Sequence, residues 1–99
     1  MTNSSYKEKG QKYGKALSAE FLNQVNSEVQ RKDILKRIDR CISLVQKLIL
    51  EAEFKQNLEY EIHSESSKNE IIYFSSILKE IEKARNEIST ISFASKRDI

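Results

Sequence analysis

Ninety-nine residues are enough for one domain and not two. Proline is absent and both glycines, Gly10 and Gly14, fall near the start, so the turns of a many-stranded sheet have no supply of turn residues and all-β and α/β folds are disfavoured. With 17 basic and 15 acidic residues the net charge is only +2, and the single Cys41 and single His63 rule out an intramolecular disulfide, a cysteine zinc site and most catalytic constellations.

The sequence predicts an all-α fold: an antiparallel, coiled-coil-like helical hairpin with a shorter N-terminal helix, resembling a three-helix bundle. Residues 1–14 read as a flexible basic tail, with Lys7, Lys9 and Lys12 against Glu8 and no apolar stripe. A single helical domain is expected over 15–94. Leu17, Phe21, Leu22, Val25 and Val29 make the stripe of a first helix at about 16–30. Continued at helical period, that stripe runs into Lys32, Asp33, Lys36, Asp39 and Arg40. A break over 30–33 with Asp33 as N-cap therefore fits better than one unbroken helix from 16 to 62.

The second helix is expected at about 34–62. Ile34, Leu35, Ile38, Cys41, Ile42, Val45, Leu48, Ile49 and Ala52 repeat near 3.5 residues, and Phe54, Leu58 and Ile62 extend the line. Pairs Asp33–Arg37 and Glu51–Lys55 suit i, i+4 contacts. The run His63-Ser64-Glu65-Ser66-Ser67 reads as a polar turn, because serines compete for backbone hydrogen bonds. Ser67-Lys68-Asn69-Glu70 has the form of a capping box that starts a third helix at about 68–93. Its seam is Phe74, Ile77, Ile81, Ala84, Ile88 and Ile91, leaving 95–99 as a short tail. Centring the turn near residue 65 sets Ile49 opposite Ile81, Phe54 opposite Ile77 and Ile38 near Ile91. The first helix would then lie beside 34–48 alone, giving three rods at the basic end and two at the acidic tip.

No set of residues calls for catalysis, a metal or a cofactor. Glu59 and His63 stand at i, i+4, but a metal needs at least one further ligand, and none is in reach in the sequence. Cys41 lies on the apolar stripe and reads as a small buried hydrophobe with an inert, reduced thiol. Without a glycine beyond position 14 there is no phosphate loop and no nucleophile elbow. The absence of an apolar leader or of 18 consecutive apolar residues points to a soluble, intracellular protein, cytoplasmic or nuclear.

The pattern therefore leads to a non-enzymatic subunit or adaptor that binds partner helices in a larger assembly, as a hetero- or homo-oligomer. Its expected docking groove is at the acidic tip, lined by Leu50, Phe54, Leu58, Ile62, Ile72 and Tyr73, because a short first helix leaves those residues uncovered. One alternative is an inhibitor or immunity-type monomeric bundle that binds one protein target. A second is a nucleic-acid-binding bundle that uses the basic patch Arg31, Lys32, Lys36, Arg37 and Arg40, joined by Lys96 and Arg97. Asp33 and Asp39 dilute that patch, and it contains no aromatic platform.

Overall fold

The computed structural model describes residues 3–91, with the side chains of 3–4 and 58–65 outside the description. Every element among the described residues is a helix: α1 spans Asn3–Asn23 and α2 spans Glu28–Thr90. A straight helix of 63 residues would reach about 94 Å, yet the longest dimension of the molecule is 64 Å. α2 folds back on itself. Arg85 reaches Asp39 at 2.6 Å, Arg31 donates to the Ser89 carbonyl at 3.2 Å and Lys55 meets Glu70 at 3.3 Å. Residues 55 and 70 can touch only if the chain reverses between them. α2 thus supplies two antiparallel limbs, over 28–57 and 66–90, and α1 is the third rod of the bundle.

The interior comes from the predicted stripes. Ile34, Ile38, Val45 and Ala52 from the first limb meet Ile77, Ile81, Ala84 and Ile88 from the second, all buried. Leu17, Phe21 and Leu22 of α1, with Val25 from the connection that follows it, close over them. Ile38, Ile81 and Ile88 are the largest side chains fully withdrawn from water, and truncating such a residue to alanine costs about 2–5 kcal/mol.

Several expectations are corrected. Residues expected to form a flexible tail over 1–14 are helical from Asn3, and α1 ends at Asn23 rather than near 30. The reason is tertiary. Gly10 and Gly14 are buried where α1 lies against the second limb. A β-carbon at Gly10 would come within 2.7 Å of Ser76 Cβ and closer still to the Tyr73 carbonyl; one at Gly14 would come within 2.7 Å of Glu80 Cβ. Ser18, one turn on, aims its hydroxyl at the Gly14 carbonyl (2.8 Å) and the Glu80 carbonyl (3.1 Å). Small residues at every fourth position let the two backbones approach, and that contact holds α1 in place.

The break lies at 24–27, not at 30–33. Bonds from Gln24 N to the Phe21 carbonyl (3.1 Å) and from Val25 N to the Leu22 carbonyl (3.2 Å) tighten the last turn of α1. Ser27 is the N-cap of α2 in place of Asp33, its hydroxyl accepting from Gln30 N at 3.2 Å. The Gln30 side chain returns a bond by accepting from Asn26 N at 2.9 Å. Ser27-Glu28-Val29-Gln30 thus caps α2 in the manner of a capping box, with the return bond drawn from Asn26, one residue before the N-cap. Val29, read as the end of the first stripe, is 78% exposed because the reorientation at 24–27 turns it outward.

The expected cap at Ser67–Glu70 does not form. Ser67 is buried within the helical run of α2, and the Glu70 carboxylate pairs with Lys55, which also displaces the expected Glu51–Lys55 pair. The last helix ends at Thr90, short of 93, with Ile91 as its C-cap. The reversal has its midpoint near residue 62, as the Asp39–Arg85 pair requires, rather than near 65. That shift removes the expected pairing of Phe54 with Ile77: Ile77 is buried, whereas Phe54 is 64% exposed.

Candidate functional site

Of the predicted groove residues, the four whose side chains are described divide between a covered pair and an open pair. Tyr73 and Ile72 are half-buried. Tyr73 stacks edge-on against Phe74 with ring centroids 5.5 Å apart, and its carbonyl lies under Gly10. α1, beginning at Asn3, reaches much further along the hairpin than a helix over 16–30 would, and so covers this region. Leu58 and Ile62 lie outside the described side chains, as do Glu59 and His63; Lys96 and Arg97 lie outside the described residues. Leu50 and Phe54 remain open, at 65% and 64% exposure. They flank a shallow hollow completed by Lys47, Glu51 and Lys55.

The predicted basic patch also divides. Arg31 is held by Glu28 and the Ser89 carbonyl, and its hydrogen bond to Glu28 pushes the guanidinium pKa further up. Arg37 pairs with Asp33 at 3.2 Å, as the i, i+4 spacing predicts. Asp39 is taken by Arg85 across the hairpin, a hydrogen bond that lowers the carboxyl pKa. Lys32, Lys36 and Arg40 are exposed and make no ion pair among the described residues, and neither does Lys47, which the sequence reading left out.

At 100° per residue, Lys32, Lys36, Arg40 and Lys47 fall within about 80° of arc on the first limb. Val29, Leu50 and Phe54 share that arc, and Leu44, 59% exposed, borders it. Ile34, Ile38, Val45 and Ala52 lie almost diametrically opposite, in the core. The outer face is thus a stripe of four cations with an apolar pair at its tip end. The period that finds the core finds this stripe too, once the helix is known to begin at Glu28.

Cys41 is half-buried beside the core, and burial pushes its thiol pKa up, which disfavours the thiolate. Among the described residues no group of three or more His, Cys, Asp and Glu is placed to hold a metal ion. No described helix is long and apolar enough to cross a membrane. Comparison of the chain with protein families, with curated proteins and with solved structures finds no match.

Proposed function

We propose that the chain is a non-enzymatic helical subunit or adaptor, and that it binds a partner helix on the outer face of the 28–57 limb. The observation that supports this reading is the exposure of Leu44, Leu50 and Phe54, at 59%, 65% and 64%, on a bundle whose core is already filled by other residues. Fully burying one such side chain is worth about 1.5–3 kcal/mol, so a helix laid across this face gains from apolar contact that the chain cannot supply to itself. The docking residues are Leu50 and Phe54 from the expected groove, with Leu44 added and Ile72 and Tyr73 removed.

The test is purification from the native source with the wild-type chain and with a Leu50→Ser/Phe54→Ser variant as baits. Both positions are exposed, so the variant should keep its helicity. The expected result is a stoichiometric partner retained by the wild type and lost by the variant. A partner retained equally by both, or no stoichiometric partner on the wild type, overturns the reading.

A further inference from the structure

We propose that the outer face takes an acidic amphipathic helix from a different chain, its carboxylates against Lys32, Lys36, Arg40 and Lys47 and its apolar side chains against Leu50 and Phe54. This inference rests on the docking reading above and names the chemistry of the partner.

Three of the five acidic residues of the first limb are already engaged: Glu28 with Arg31, Asp33 with Arg37 at 3.2 Å and Asp39 with Arg85 at 2.6 Å; the other two, Glu51 and Glu53, lie beyond Lys47 at the tip end. The four exposed cations of the stripe make no ion pair among the described residues, and Glu51, one turn from Lys47 beside the same hollow, is the carboxylate nearest to them in the sequence at the tip end. Successive charges from Lys32 to Lys36 to Arg40 stand about 6 Å apart along the axis, and Lys47 follows about 10 Å on. Carboxylates at the same spacing on one face of a second helix would meet them all at once. Cationic and anionic faces of that kind set partner choice and orientation, while the apolar pair adds contact area.

The geometry disfavours the other occupants. A second copy of this chain, laid antiparallel on the same stripe, would set cation against cation, Arg40 against Arg40 and Lys32 against Lys47 at its centre. A membrane-surface helix carries its cations at the edges of an apolar face, whereas Lys47 here lies between Leu44 and Leu50 in arc and sequence. A phosphate backbone would satisfy the cations but leave Leu50 and Phe54 without apolar contact.

The experiment titrates the full chain against a synthetic helical peptide of about 25 residues with Glu at the complementary spacing and a Leu and a Phe at one end. A copy with Lys for each Glu, duplex and single-stranded DNA, and phosphatidylserine vesicles are titrated in parallel. The expected result is saturable, salt-sensitive binding of the acidic peptide. A Lys36→Glu/Arg40→Glu/Lys47→Glu variant of unchanged helicity should lose about tenfold or more in affinity and should bind the Lys peptide instead. Failure of the acidic peptide to bind, equal binding by the variant, or tighter binding of DNA or vesicles than of the peptide overturns the proposal. If the acidic peptide fails while the Leu50→Ser/Phe54→Ser variant still loses its native partner, the acidic partner class is wrong and the docking face stands. If that variant keeps its native partner, the docking reading falls as well, and the acidic-helix proposal with it.

Discussion

A methyl group at Gly10 or Gly14 would run into the backbone or Cβ atoms of the second limb of α2, and neither can swing away as the end of a long side chain can. In an isolated helix, glycine to alanine gains about 1 kcal/mol from propensity. Here the overlap forces α1 outward, and overpacking of that kind costs about 1–3 kcal/mol. Gly10→Ala and Gly14→Ala should therefore lower stability in spite of better helix propensity, measured as a lower urea midpoint. An increase at both positions would show that α1 does not pack closely there. Signals at this scale were only partly legible. The apolar spacing placed Ile38, Cys41 and Ile81 correctly at or beside the core. The sequence also holds the four-residue spacing of Gly10, Gly14 and Ser18, but glycines in a polar, lysine-rich segment read as slack until the neighbouring backbone is known.

At the scale of the element, the cap at Ser27 sets where α2 begins, and hence which way Val29 and the cationic stripe face. Ser27→Ala removes the acceptor for Gln30 N and should cost about 1 kcal/mol, within the usual range of about 0.5–2. A thermal melt unchanged by the substitution would count against the cap. The Asp39–Arg85 pair ties the two limbs together, and its hydrogen bond lowers the Asp39 carboxyl pKa. A carboxylate whose folded pKa is depressed adds stability above its unfolded pKa. That stability is lost as pH falls through the lower, folded value. The wild type should accordingly melt slightly above Asp39→Asn at neutral pH, and the gap should close on acidification and in high salt. A gap that widens in acid would contradict the assignment. Sequence reasoning found the break between the first two helices but placed it several residues late. The apolar stripe running through Val29 implies a helix still continuing there, which favours Asp33 as the cap and hides Ser27 and Gln30.

For the whole molecule, the decisive quantity is the register of the hairpin. With Cys41 replaced by serine, a Cys pair introduced at 39 and 85 should be bridged within one chain by a short bifunctional maleimide, since those side chains meet at 2.6 Å. The pair 49 and 81, expected to face each other if the turn were centred near 65, should bridge less efficiently. The opposite order would restore the later turn, and bridging only between chains would indicate that the limbs are exchanged between copies. The same register, with α1 lying along the second limb as far as Tyr73, moves the open apolar surface from the seam between the limbs to the outer face of the first.

All-helical structure, antiparallel limbs and the buried set from Ile34 to Ile88 follow from local periodicity, because a residue's place on a helix face depends on its spacing from near neighbours. Where α1 begins, what Gly10 and Gly14 are for, which cations have partners and which hydrophobics stay in water depend on contacts such as Ser18 with Glu80 and Asp39 with Arg85, 62 and 46 residues apart. No spacing rule reaches that far. Whether a small residue is slack or a close contact, and whether a charge is paired or open, is a property of what the folded chain brings opposite it.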